Sequence, residues 1–273
     1  MLEDRRIVVV GASGGLGRAT VAELLRDGAR VLGTGRNEER LRAVAELGAE
    51  PVSLHLHDPG APAALRTEVD KRFEGVLDGL VLVAGSLGPI GPTRTVDLEA
   101  VARTFAEHTL ASLALVQSCA DALDAADAPS AVMFSGGGAS SSFPSYTAYS
   151  LAKVAIVRLV ENLAAEEPDW KVNAVSPGFV ATEIHEATFE AGPEAVGAYF
   201  DETQRRLADP APPSAAAELV AFLLGDESAG ITGRVISAIW DDWKDESVLA
   251  MLRESDSFGR LRRIDERRFR DHG

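Results

Sequence analysis

The chain has a single cysteine, Cys119, so no disulfide can form within it and a reducing setting such as the cytoplasm is expected. Long hydrophobic runs are also scarce. None approaches the roughly 18 residues that a membrane span requires, and no membrane partner is expected. Positive charge is short as well: Lys and Arg number 27 against 42 Asp and Glu. The resulting net charge of −15 argues against nucleic acid or an anionic bilayer as a partner. His57 and His185 carry no ligand-like spacing, so no metal site is expected. The N-terminus runs directly into a β-rich stretch, so no signal peptide is expected.

What is present is a regular alternation. Short apolar, β-rich runs at 7–10, 31–34, 52–56, 80–83, 131–135, 172–175 and 235–239 predict strands. Helical spacing between them predicts helices at 18–27, 38–47, 62–73, 97–126 and 147–166, the first two closed by Gly28 and Gly48. Continuous apolar strands alternating with helices imply an α/β fold: a Rossmann-type, doubly wound, seven-stranded parallel sheet in a three-layer α/β/α single domain. Its 273 residues, 46% of them hydrophobic, suit one large domain, and no internal repeat divides it. The domain is expected over 1–239. Residues 183–213, with Gly192, Gly197 and a Pro-rich end, are expected to form a mobile insertion that closes over a substrate. Residues 240–273 form a charged tail, packed on the domain or at a subunit interface.

The segment Gly11-Ala12-Ser13-Gly14-Gly15-Leu16-Gly17 lies between the first strand and the first helix. Glycine there lets the backbone turn sharply and approach a pyrophosphate, while the helix offers free N–H groups and the positive end of its dipole. Gly11, Ser13, Gly14, Gly15, Leu16 and Gly17 are therefore candidate dinucleotide-binding residues. At the end of the second strand the chain reads Thr34-Gly35-Arg36-Asn37, with no carboxylate to hold a ribose 2′-hydroxyl. Arg36 offers a planar cation suited to a 2′-phosphate, so the expected cofactor is NADP(H).

Tyr149 and Lys153 open a predicted helix and, at i and i+4, share one face. An ammonium beside a phenol favours the phenolate, which would lower the Tyr149 pKa and make it a general acid/base.

Tyr-x-x-x-Lys, preceded by the Gly-x-x-x-Gly-x-Gly spacing of Gly11, Gly15 and Gly17, resembles the short-chain dehydrogenase/reductase family over about 5–239. Further matches are the run Asn173 to Thr182, Ile231-Thr232-Gly233, Phe143-Pro144 and Ala148-Tyr149. The resemblance implies an oxidoreductase interconverting a carbonyl and a secondary alcohol, with Lys153 also holding the nicotinamide ribose. It places Pro177, Gly178, Val180 and Thr182 at the nicotinamide, and His55, Leu56, Ala84 and Gly85 along the adenosine side. It also implies a homodimer or homotetramer built on the helices at 97–126 and 147–166.

Several positions depart from the family. The usual catalytic serine, thirteen residues before the tyrosine, is Gly136 within Ser135-Gly136-Gly137-Gly138. Ser135 can serve as the oxyanion donor only if a bulge reverses its direction, since side chains alternate along a strand; a backbone N–H of the glycine run is the other candidate. The usual relay asparagine is His108, which either shuttles protons or simply packs. The family's acid near adenine is replaced by His55, and its Asn-Asn-Ala-Gly by Leu82-Val83-Ala84-Gly85. Trp240-Asp241-Asp242-Trp243 replaces the usual ending, with packing or a cover for the site as the two roles open to the tryptophans. Together with Ser-Gly-Gly-Gly it is similar to a bacterial branch associated with sugar or polysaccharide metabolism, which implies a sugar or secondary-metabolite substrate. The losses leave a second reading open, a dinucleotide-binding regulator or scaffold without turnover.

Overall fold

The computed structural model describes residues 1–263. Seven strands, β1 (Arg6–Val10), β2 (Arg30–Gly35), β3 (Glu50–Ser53), β4 (Gly79–Leu82), β5 (Ser130–Phe134), β6 (Lys171–Ser176) and β7 (Arg234–Ser237), form one sheet. Every pairing is parallel, in the order β3-β2-β1-β4-β5-β6-β7. The order reverses beside β1, and the crevice at that switch point is where a doubly wound sheet places a ligand.

The helices cover both faces. On one side lie α1 (Gly15–Arg26), α2 (Glu38–Glu46), α9 (Pro213–Leu224) and α10 (Glu246–Glu254); on the other, α3 (Ala61–Phe73), α5 (Ala111–Asp124) and α6 (Thr147–Glu166). Strand β1 shows why its apolar run is unbroken. Ile7 and Val9 enter the core beneath α1 and α9, while Val8 and Val10 enter the core beneath α3 and α5. A sheet buried on both faces needs hydrophobic side chains at every strand position.

Polar side chains pin the strand ends. The carboxylate of Asp78 accepts from the Arg6 backbone N–H at 2.8 Å and from its guanidinium at 2.7 and 3.2 Å. Asn173, fully buried, donates to the Ile231 carbonyl at 2.8 Å and accepts from Arg234 N–H at 3.1 Å. The hydroxyl of Thr232 accepts from Val172 N–H at 3.0 Å, so Asn173 and Thr232 set β7 against β6.

Several boundaries differ from the sequence reading. β3 ends at Ser53 rather than 56, because the chain turns away there and Asp58 N–H bonds back to the His55 carbonyl. The stretch at 97–126 is not one uninterrupted α-helix. It divides into α4 (Leu98–Phe105), a five-residue π-helical turn at Ala106–Leu110, and α5. The 183–213 region is mostly helical, with α7 (Glu186–Val196) kinked at Gly192 and α8 (Tyr199–Leu207). Within the expected tail, α10 packs its Leu249 and Leu252 into the core, and Val235 N–H donates to the Gly259 carbonyl across the open edge of β7. The rest of that tail, 264–273, lies outside the described residues.

Candidate active site

The chain leaves β1 at Gly11, whose φ of +91° and close approach to Ala84 (a Cβ would stand 2.6 Å from Ala84 N) both demand glycine. A Cβ on Gly17 would overlap the Gly11 carbonyl, so glycine also lets α1 start directly against the turn. Gly14 precedes α1 with no side-chain cap, and no acid lies in the helix's first turn. Its N–H groups therefore stay free for an anion. The carboxylate of Glu183 already approaches this corner, 3.8 Å from Arg18 and 3.6 Å from Arg40. The turn fits a pyrophosphate on these grounds. Leu16 faces the neighbouring cavity, and a Cβ on Gly15 would stand 2.7 Å from Thr182 Cγ2. The loop after β6 and the glycine turn thus meet.

The end of β2 lies beside this turn: Gly11 and Ala12 N–H both bond to the Thr34 carbonyl, and a Cβ on Gly35 would overlap the Ser13 hydroxyl. Arg36 is exposed at this rim, next to Asn37, whose side chain caps α2 by accepting from Arg40 N–H at 2.9 Å. His55 is exposed and Leu56 half-buried just past β3. Ala84 bonds to the Val10 carbonyl, and Gly85 has no side chain because one would overlap the His108 ring.

Tyr149 and Lys153 share a face of α6, with the Lys153 ammonium 5.4 Å from the Tyr149 ring centre. That ammonium donates to the Phe134 carbonyl at 2.8 Å, which anchors α6 to the end of β5. Burial holds the lysine down to about 8, opposed by the Glu107 carboxylate. Burial, followed by the nearby Tyr199, pushes the Tyr149 phenol above its ordinary value. The sequence reading expected the opposite sign from Lys153. In this enclosed setting desolvation outweighs the other influences on the phenol.

His108 lies within the π-helical turn and packs edge-on to Tyr149, with ring centres 5.9 Å apart at 90°. Its Nε2 is 2.9 Å from both Ser86 N and Ser86 O, while Nδ1 is buried without a partner. Burial, then the Lys153 charge, lowers its pKa to about 3, so the ring is neutral.

The serine question has a geometric answer. Ser135 is only 3% exposed, its N–H continues the ladder to the Val175 carbonyl, and it does not line the cavity. The bulge that would have turned it inward is absent at that position. Gly136 and Gly137 line the cavity instead, and the turn itself comes at Gly138, with φ +84°.

The cavity beside Tyr149 measures about 720 Å³. Ser176, Pro177, Gly178, Val180 and Thr182, from the end of β6 and the loop after it, form one of its walls. The remaining wall carries residues that the sequence reading did not single out: Phe143 as a contact, Tyr146, Phe179, Tyr199 and Arg206. No local pattern marks them, because they come from the 143–146 loop, the end of β6 and α8. The two tail tryptophans part company. Trp243 is buried against Phe222, and Trp240 stands exposed at the cavity.

A doubly wound parallel sheet, a glycine turn at its switch point and a Tyr–Lys helix beside a cavity define a Rossmann-type oxidoreductase. The comparisons agree. A family model described as enoyl-(acyl carrier protein) reductase matches residues 11–238. The chain belongs to the short-chain dehydrogenase/reductase family. It is 30% identical to the vibriobactin-specific 2,3-dihydro-2,3-dihydroxybenzoate dehydrogenase of Vibrio cholerae, over 85% of this chain and 93% of that protein. It is 29% identical to the oxidoreductase YciK of Escherichia coli, over 87% of this chain and 93% of that one. A short-chain dehydrogenase from Shigella flexneri complexed with NADP superposes with a TM-score of 0.76 at 27% identity, covering 87% of this chain and 98% of that one. Among the described residues, no helix is long and apolar enough to cross a membrane, and no cluster of metal-ligating side chains is present.

Proposed function

We propose that this chain is an NADP(H)-dependent reductase or dehydrogenase acting on a small carbonyl/secondary alcohol pair, working in the cytoplasm, with Tyr149 as the acid/base. The observation that carries this reading is the placing of the Tyr149 hydroxyl against Gly136 at the head of a cavity walled by Pro177, Gly178 and Thr182. The cofactor, when bound, supplies or accepts hydride. The chain's residues do the rest. Gly11, Ser13, Gly14, Gly15, Leu16 and Gly17 cradle the pyrophosphate, and Arg36 meets the 2′-phosphate. His55, Leu56, Ala84 and Gly85 border the adenosine side; Pro177, Gly178, Val180 and Thr182 position the nicotinamide. Tyr149 Oη donates its proton to the substrate oxygen in reduction and takes it back in oxidation. Lys153, held by Phe134 O, positions the ribose and stabilises negative charge on Tyr149. With Ser135 outside the cavity, the N–H groups of the Gly136–Gly137 turn take the part of donors that polarise that oxygen.

The test is a fluorescence titration with NADPH and NADH, in wild type and Arg36→Ala, followed by ketone turnover in wild type and Tyr149→Phe. Preferential NADPH binding that Arg36→Ala weakens, with turnover abolished by Tyr149→Phe, supports the reading. The placing of Gly136 where a catalytic serine is expected favours a second one, a dinucleotide-binding regulator. Tight NADPH binding without turnover of any ketone or alcohol would select it.

A further inference from the structure

Resting on the oxidoreductase reading above, we infer that Trp240 is a substrate-stacking residue and that the substrate carries a flat, largely apolar ring, as in an aryl-fused ketone or its alcohol. Trp170 and Trp243 are buried at 4% and 8% exposure, whereas Trp240 is 81% exposed. Its backbone is nevertheless held in place. The Ser237 hydroxyl accepts from Ile239 N–H at 3.3 Å and Trp240 N–H at 3.0 Å, and Asp241 Oδ2 accepts from Ser237 N–H at 2.7 Å. Ile239 in turn packs on the nicotinamide-side loop, where a Cβ on Gly178 would stand 2.7 Å from Ile239 Cγ1. The turn therefore fixes the point from which the indole extends at the rim of the cavity that Trp240 and Tyr149 both line.

The rest of the wall matches a flat ring. Phe143 stacks on Tyr146 at 4.2 Å and 7°, and Tyr199 meets Phe143 edge-on at 4.6 Å. Phe179 stacks on His185 at 4.2 Å and 21°, and burial holds that imidazole's pKa below its ordinary value. Arg206 and Asp209 are the charged side chains among the described lining residues, and Arg206 is already paired to Glu202 at 2.6 Å. The described lining contains no Asn, Gln or Glu. Hydroxyls of Tyr146, Tyr149, Ser176, Thr182 and Tyr199 also line the space, that of Tyr146 already paired with Thr188, but the faces of Phe143, Phe179 and Trp240 offer stacking and apolar burial that a flat ring gains and a sugar does not. The aromatic faces thus favour an aryl or similarly planar compound over a sugar.

The experiment compares 1-tetralone, cyclohexanone and D-fructose in wild type and Trp240→Ala, a substitution at an exposed side chain that leaves the fold intact. Acrylamide quenching of tryptophan emission is measured with NADP⁺ bound, and KM and kcat with NADPH. Expected is shielding of wild-type emission by 1-tetralone, absent in Trp240→Ala. The variant's KM for 1-tetralone should rise about tenfold with kcat unchanged, and its KM for cyclohexanone should stay the same. An unchanged 1-tetralone KM, or stronger shielding by D-fructose, overturns the inference. So does an oligomer that dissociates in Trp240→Ala with no shielding by ketone, which would assign the indole to a contact between copies. Shielding by 1-tetralone without turnover in wild type leaves Trp240 as a ring-binding residue and defeats the oxidoreductase reading alone. Absence of both overturns the inference.

Discussion

The hydroxyl of Tyr149 stands in the space that a side chain on Gly136 would fill: a Cβ built there overlaps Tyr149 Oη. Glycine at this position is thus a condition for the tyrosine's placement.

Gly136→Ala is expected to push the Tyr149 ring aside and lower kcat by on the order of 10²-fold, the scale of a misplacement near 1 Å. Ser135→Ala should leave kcat unchanged, because Ser135 lies outside the cavity. Steady-state kinetics on the two variants check this. A large loss in Ser135→Ala would return the serine to the mechanism.

His108 predicts an acid instability. Its folded pKa, lowered to about 3 from 6.5, means that the unfolded chain binds more protons between those values. Stability therefore falls as pH drops through 6.5 toward 3. His108→Asn should flatten that decline in urea unfolding curves. The acid limb of kcat, if one exists, should persist in the variant, because the ring is already neutral there.

Lys171 predicts the opposite limb. Its ammonium donates to the Gly225 carbonyl and to Ser228 Oγ, and burial lowers it to about 8 from 10.5. Across that window the unfolded chain again binds more protons, so the lysine's contribution to stability rises with pH. The stability difference between wild type and Lys171→Met should grow from pH 8 to 10. Lys153, also lowered to about 8, should do the same and in addition shift the alkaline limb of kcat; Lys171→Met should not.

We propose that this chain self-associates through α5 and α6, with the exposed Leu110, at the end of the π-helical turn, and Leu151, on α6, in the contact. Leu151→Glu combined with Leu110→Glu should convert a dimer or tetramer into a monomer in light scattering, since charge in an apolar interface is left unpaired. An unchanged mass would place the interface elsewhere.

Much of the frame was legible because its signals are local. The β1 run, the glycine turn and the i, i+4 spacing of Tyr149 and Lys153 each occupy a few consecutive residues, and each maps to one element. The π-helical turn at Ala106–Leu110 escaped, since its apolar spacing passes for ordinary helix and its cause is tertiary: Thr109 bonds across to the Ala152 carbonyl, and His108 to Ser86. The balance between Lys153 and burial at Tyr149 was not legible for a related reason. Sequence supplies which charge stands nearby, but only burial says how much the phenolate costs.

By itself, then, the sequence determined the parallel α/β sheet, the glycine turn and the Tyr–Lys helix, because backbone periodicity and glycine stereochemistry act over short distances. The tertiary structure alone decided that Gly136 rather than Ser135 faces Tyr149, that Trp240 is exposed while Trp243 is buried, and that Phe143, Phe179 and Tyr199 meet in one cavity. Those outcomes depend on which remote segments exclude water from which side chains, and no short window of residues carries that information.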